Sequence, residues 1–250
     1  MTTVIMIPAR YGSSRLPGKP LLDIAGLPMI LRVVEVARRV GMGQVVVATD
    51  DQRIHDVVAQ AGHSVVMTSA DHPSGTDRLQ EAASLLSLAP DDIVINLQGD
   101  EPLMPVDNIL QVAQLLEANP EAAVATLFEL ASDIAVVQNP NAVKMVQDDA
   151  GRVLYFSRAP IPFDRDKTHQ ETPQLWKRHI GLYAYRKSAL DAFVQWPEAP
   201  LEQIERLEQL RFMQHGKMIV AAAATRAVPA GVDTAADLAA VRQCFQQEDC

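Results

Sequence analysis

The chain has 250 residues, 48% of them hydrophobic and 21% charged, which is ample for one well-buried domain and is not the composition of a disordered protein. A formal net charge of −9 argues against a protein that coats nucleic acid, so any concentrated cluster of cations reads as local and suited to an anionic small molecule. No apolar run approaches a membrane span and the N-terminal run lacks a basic leader, while Cys244 and Cys250 are too few for a disulfide framework or a metal cluster, so a reducing cytoplasm is expected.

Val4, Ile5, Met6 and Ile7 form a short β-branched and apolar run that reads as a buried strand. After it, apolar residues at helical spacing predict a helix over 29–40, started by Pro28 and stopped at Gly41. A second buried strand is predicted over 44–48, with a carboxylate among Asp50 and Asp51 to cap a helix over 53–61. A third strand at 65–67, a helix from Ser74 to Leu88 and a fourth strand at 93–97 continue the alternation. Such alternation implies right-handed β-α-β units and a parallel sheet. From Ala122 the rhythm changes. A strand over 124–130, a hairpin of 143–146 with 153–156, and a strand over 179–185 read as antiparallel, with 164–173 as a polar loop. One helix over 201–215, a strand over 218–223 and a helix over 235–244 complete the chain. There is no internal repeat and no linker, so 1–250 is expected to be one α/β domain with an antiparallel lobe at roughly 122–200.

Three stretches carry chemistry. Arg10-Tyr11-Gly12-Ser13-Ser14-Arg15-Leu16-Pro17-Gly18-Lys19-Pro20 leaves the carboxyl end of the first strand, where open α/β sheets bind ligands. Its small residues let backbone N–H groups approach an anion, and Arg10, Arg15 and Lys19 add charge-assisted donors, as a polyphosphate site requires. A merely basic surface loop is the other reading, and the place directly after the strand favours the site. The loop is not a Walker A motif: Gly12 to Gly18 is one residue too long and Pro20 stands where the magnesium-binding hydroxyl belongs. Gln98-Gly99-Asp100-Glu101-Pro102 follows the fourth strand, so Asp100 is either a magnesium ligand beside the phosphates or a turn cap before the next helix. Ser74-Gly75-Thr76-Asp77-Arg78 opens a helix. Its backbone donors and Ser74 can meet a base or ribose edge, or Thr76 is a plain cap and Arg78 a solvated helix residue.

The run R-x4-R-L-P-x-K resembles the signature loop of the sugar cytidylyltransferases, and its ending P-G-K-P-L is most similar to the 3-deoxy-manno-octulosonate cytidylyltransferase (CMP-Kdo synthetase) family. Matches to that family run in order from Ile7 to Leu238. The resemblance implies a Rossmann-like nucleotidyltransferase (glycosyltransferase-A-like) fold, a mostly parallel sheet with an antiparallel lobe that binds sugar and dimerises. It implies transfer of CMP from CTP to 3-deoxy-D-manno-octulosonate (Kdo), with release of pyrophosphate, in lipopolysaccharide synthesis. Arg10, Ser13, Arg15 and Lys19 would hold the triphosphate, with Ser74 and Arg78 at the nucleotide. Gln98, Arg158, His179, Tyr185, Glu208 and Gln209 would hold the sugar acid, Glu208 and Gln209 sharing one helix face with Glu205. Asp100 and Asp233, the latter in the run Gly231-Val232-Asp233-Thr234, would bind Mg2+; otherwise Asp233 is an N-cap. Arg10, Arg15, Lys19, Asp100 and Asp233 are thus the expected catalytic set, with no side-chain general base. Without the resemblance, His179 reads as a hydrogen-bonded core residue. The expected partners are CTP, a Kdo-type sugar acid and a second copy of the chain, with no nucleic acid and no membrane. A cytidylyltransferase for 8-amino-Kdo or sialic acid, another nucleotidyltransferase and a noncatalytic nucleotide-binding protein are the alternatives.

Overall fold

In the computed structural model, residues 1–12, 16–169 and 171–246 are described. The first strand, β1 (Thr3–Ala9), is buried on both faces. Val4 and Met6 point one way and Ile5, Ile7 and Ala9 the other, as the two-residue period of a strand requires. A two-stranded ribbon of β2 (Asp23–Ile24) and β3 (Leu27–Pro28) follows, then α1 (Met29–Arg39). Next come β4 (Gln44–Thr49), α2 (Gln52–Gln60), β5 (Ser64–Met67), α3 (Gly75–Leu85), β6 (Ile93–Asn96) and α4 (Val106–Glu117). These alternate as the sequence predicts, and β5, β4, β1 and β6 lie side by side, all parallel. Asp51 caps α2 by accepting from the Arg53 amide at 3.0 Å.

The second half comprises β7 (Val124–Leu130), α5 (Ile134–Gln138), β8 (Lys144–Gln147), β9 (Val153–Ser157), β10 (Lys177–Arg186), α6 (Lys187–Phe193), α7 (Pro200–Glu205), α8 (Gln209–Gln214), β11 (Ile219–Ala223) and α9 (Ala235–Gln246). Among the described residues the main sheet runs β11-β7-β10-β6-β1-β4-β5. Its one antiparallel path member is β10, which pairs with β6 on one side and β7 on the other, while β11 is parallel to β7. The expected antiparallel strands of 122–200 are therefore built into the main sheet, and only the β8-β9 hairpin extends from the first two residues of β10.

One predicted element differs. The described residues of the polar loop predicted over 164–173 form a loop as far as a short 3-10 turn that begins at Pro173, but the helix predicted over 201–215 is two helices, α7 and α8, separated at Arg206 by a left-handed backbone (φ 54°, ψ 49°). The buried carboxylate of Glu202 accepts from the Ala199 amide (3.1 Å) and from Arg211 (2.7 and 2.6 Å), tying the two short helices together across the break. The Glu205 carboxylate is drawn away to the Ser157 hydroxyl (2.6 Å) and the Arg158 amide (2.9 Å). Glu205, Glu208 and Gln209 therefore do not share one helix face. At the other end of the chain Cys244, in the last turn of α9, is disulfide-bonded.

Candidate active site

The carboxyl ends of β1, β4 and β6 open into one polar cleft of about 470 Å³, continuous through Pro8, Ala9, Arg10 and Gln98 with a smaller hollow of about 270 Å³. The hollow is lined by Arg10, Gly12, Lys19, Gly99, Asp100 and Asp233. Gly99 is there for a steric reason: a Cβ at that position would stand 2.9 Å from the Pro8 carbonyl oxygen, so only glycine lets the segment after β6 lie against the end of β1. Gly18, at φ +67°, donates from its amide to the Tyr11 carbonyl (3.3 Å), closing the loop on itself and delivering Lys19 to the hollow. Ser13 and Arg15, both expected at the triphosphate, lie outside the described residues.

Lys19 is the centre of this hollow. Its Nζ donates to Asp100 Oδ2 (2.6 Å), to the Val232 carbonyl (2.7 Å) and to Asp233 Oδ1 (3.2 Å). Three segments far apart in sequence, at 19, 100 and 232–233, are thereby brought to one point. The cap readings of both aspartates are removed. Helix α4 begins after Pro105, its N-cap residue, with no side-chain cap, and the Asp237 carboxylate takes the amides of Asp233 (3.0 Å) and Thr234 (2.7 Å) at the start of α9. Beside Asp100, burial and then the Asp100 charge push the Glu101 carboxyl up to about 8, so at neutral pH it is mostly protonated and adds little negative charge.

The larger cleft is walled by α3 on one side and by β10 and the α7-α8 turn on the other. Ser74 caps α3, accepting from the Asp77 amide (3.3 Å) and donating to the Asp77 carboxylate (2.6 Å). Thr76 is not the cap: its hydroxyl donates to Glu208 (2.7 Å) across the cleft. Arg78 is not a solvated helix residue either. It is 5% exposed and its guanidinium donates to Thr68 (2.6 Å) and Asp50 (2.9 Å) at the cleft wall. Of the residues expected at the sugar acid, Gln98, Tyr185, Glu208 and Gln209 all line this cleft. Burial, and then Glu208, raise the Tyr185 phenol well above its ordinary range, so it stays a neutral hydroxyl.

Two expected sugar contacts are placed elsewhere. Arg158 spends its guanidinium on the carbonyls of Glu205 (2.6 Å), Pro140 (3.0 Å) and Arg206 (3.2 Å), fixing the α7-α8 turn from behind. His179 is buried beneath Tyr183, its Nε2 against the Thr126 hydroxyl (2.9 Å) and its ring between those of Phe156 and Tyr183. Burial, and then the Arg178 charge, pull its pKa down from 6.5 to about 3. The folded value lies below the unfolded one, so the unfolded chain takes up the proton first as the pH falls. Stability is then full above about 6.5 and is lost progressively toward about 3. Unfolding free energy measured from pH 7 to pH 4 should decline in the wild type and decline less in His179→Gln; parallel curves would show that the ring is not held neutral.

Sequence reasoning passed over Asn96, Tyr183 and Asp50, all of which line the cleft. Asp50 was legible only as a cap candidate, and Tyr183 only as a strand residue; the antiparallel pairing of Tyr183 with Asn96 is what turns both to the site.

Comparisons with known proteins identify the family. The family model described as "Cytidylyltransferase" matches residues 4–219. A 3-deoxy-manno-octulosonate cytidylyltransferase of Hahella chejuensis is 56% identical over 243 residues, covering 95% of each chain. The protein of the same name from Cellvibrio japonicus is 54% identical, covering 98% of this chain and 99% of its own. A solved structure of CMP:2-keto-3-deoxy-manno-octonic acid synthetase complexed with CTP superposes with a TM-score of 0.91 at 45% identity, covering 99% of this chain and 100% of that one.

Proposed function

From the premise that this chain belongs to the cytidylyltransferase family, we propose how its residues carry out CMP transfer from CTP to Kdo, with release of pyrophosphate. The observation that carries the reading is the meeting of Lys19, Asp100 and Asp233 at the mouth of a polar cleft whose far wall presents Tyr185, Glu208 and Gln209. The reaction is an in-line displacement at the α-phosphorus by the sugar's anomeric hydroxyl, and it needs positioning and charge neutralisation more than a covalent intermediate.

Arg10 and Lys19, with Ser13 and Arg15 of the same loop, hold the triphosphate and neutralise the charge that develops on the leaving pyrophosphate. Ser74 and Arg78 stand on the α3 wall, where the nucleoside lies. Gln98, Tyr185, Glu208 and Gln209 offer hydroxyl, amide and carboxylate partners to the sugar acid. The hollow also fits a magnesium ion: two carboxylates converge on one cationic position, taken by the Lys19 ammonium, and both are hard oxygen donors. Among the described residues no third acidic, histidine or cysteine side chain joins them, which suits an ion that completes its shell with phosphate and water oxygens. Asp100 and Asp233 would hold it, and when bound it supplies Lewis-acid charge neutralisation at the reacting phosphate. The sugar acid's carboxylate has a partner in Arg158 only if that guanidinium exchanges its carbonyl contacts for the substrate.

The same reading extends to a cytoplasmic homodimer that forms one domain per chain. Among the described residues no helix is long and apolar enough to cross a membrane. Leu130, Leu154, Phe163 and Leu175 expose apolar surface within 122–200, where the partner copy would dock. Every nucleoside triphosphate offers the same phosphates, so base choice rests on the α3 wall. In a pyrophosphate-release assay with Kdo, CTP should be strongly preferred over ATP and GTP, with UTP the best weak substitute. Equal rates with ATP would sink the reading.

A further inference from the structure

The floor of the larger cleft holds a polar side chain to which no role has been given. Asn96 ends β6 on the same face as Val94, opposite Ile93 and Ile95, and that face turns toward the cleft. The residue is 4% exposed, and its Oδ1 has no hydrogen-bond partner. Two other buried side-chain oxygens among the described residues share that condition, on Glu101 and Gln147, and neither residue lines the cleft. The N–H side of the Asn96 carboxamide is bonded to the Tyr185 phenol oxygen, and the other polar neighbours are committed elsewhere, so the amide oxygen alone is left open: Thr76 donates to Glu208 (2.7 Å), Ser74 to Asp77 (2.6 Å), and Arg78 to Thr68 and Asp50.

A buried acceptor without a donor is unfavourable, and native proteins leave few of them. One that persists at the floor of a substrate cleft is satisfied by what the cleft binds. The triphosphate brings acceptors only. The nucleoside lies against the α3 wall, whereas Asn96 is paired in the sheet with Tyr183 of β10 and stands among Gln98, Tyr183 and Tyr185, on the side assigned to the sugar acid. A polyhydroxylated sugar acid brings donors in number.

We infer that Asn96 is a sugar-acid-binding and specificity-determining residue, whose carboxamide accepts a hydrogen bond from one hydroxyl of the substrate at the floor of the cleft. This rests on the reading of the protein as a CTP:Kdo cytidylyltransferase. A site built to hydrogen-bond a hydroxyl rejects the analogue that lacks it, because the buried partner is then left unpaired.

Steady-state kinetics of the full chain test it, with Kdo and a set of Kdo analogues each lacking one hydroxyl. Turnover of Kdo by the wild type tests the underlying reading on its own. The comparison of variants with wild type tests Asn96. Asn96→Ala should raise KM for Kdo about tenfold while KM for CTP moves by less than about twofold. One deoxy analogue, and only one, should be handled equally by Asn96→Ala and wild type, since its missing hydroxyl is the one the amide would have held. Asn96→Asp keeps the shape and an acceptor and should retain discrimination against that analogue. It also carries the test should Asn96→Ala fail to fold, in which case loss of discrimination by Asn96→Asp overturns the inference. An unchanged KM for Kdo, a larger rise for CTP than for Kdo, or no analogue that erases the difference would equally overturn it.

Discussion

Lys19→Ala should lower kcat/KM for CTP by about 100-fold or more, the equivalent of losing one or two charge-assisted contacts of roughly 1.5–3 kcal/mol each to the triphosphate. The same ammonium ties the loop after β1 to Asp100 and to the Val232-Asp233 segment. Its removal leaves two carboxylates facing each other, so part of the loss comes from a hollow that no longer holds its shape. The stability change should nonetheless be modest, because Asp233 is about half exposed (49%) and its share of the ion pair is screened by solvent. Lys19→Arg should recover only part of the activity, since a planar fork does not replace a compact ammonium that reaches three acceptors at once. Turnover is read against melting temperature. If Lys19→Ala folds and keeps the wild-type kcat/KM for CTP, this hollow is not the triphosphate site.

Asp100→Asn and Asp233→Asn should each abolish turnover at limiting magnesium, by about 100-fold or more, while barely moving the melting temperature. The expectation for Asp233 follows from where the α9 cap lies. The start of α9 is capped by Thr234 and Asp237, which exchange hydrogen bonds (Asp237 amide to Thr234 Oγ1, 3.2 Å; Thr234 amide to Asp237 Oδ2, 2.7 Å). Cap loss, worth about 1 kcal/mol, therefore belongs to Thr234→Ala and not to Asp233→Asn. A magnesium titration separates the aspartates. If both variants need more magnesium than wild type, they share the ion. If Asp233→Asn turns over normally at limiting magnesium while Asp100→Asn does not, the shared-ion proposal fails.

What could be read from the chain alone followed from local periodicity. The β-α alternation through β6 and the glycines and cations after β1 are signals carried by neighbouring residues, and they placed Arg10, Lys19 and Asp100 correctly at adjacent strand ends. What could not be read depends on partners distant in sequence. The break at Arg206 arises because Glu202 and Glu205 are drawn to Arg211 and to β9, and nothing in the apolar spacing of 201–215 announces it. Thr76 looked like a cap because it opens a helix, yet its partner is Glu208, 132 residues away. Asn96 read as one residue within a buried strand over 93–97, and only the pairing of β10 beside β6 shows that it faces a cleft. His179 and Arg158 matched family runs, but their nearest structural duties are to support Tyr183 and the α7-α8 turn.

The most direct test follows one atom. Kdo labelled with oxygen-18 at its anomeric hydroxyl is incubated with the enzyme, CTP and magnesium, and the products are analysed by mass spectrometry and phosphorus NMR. Attack by that hydroxyl on the α-phosphorus predicts that the label appears in CMP-Kdo, in the bridge between sugar and phosphorus, with one unlabelled pyrophosphate released per product and none in the absence of Kdo. Pyrophosphate released at the same rate without Kdo, or CMP-Kdo formed without the label in its bridge, would contradict the proposed transfer.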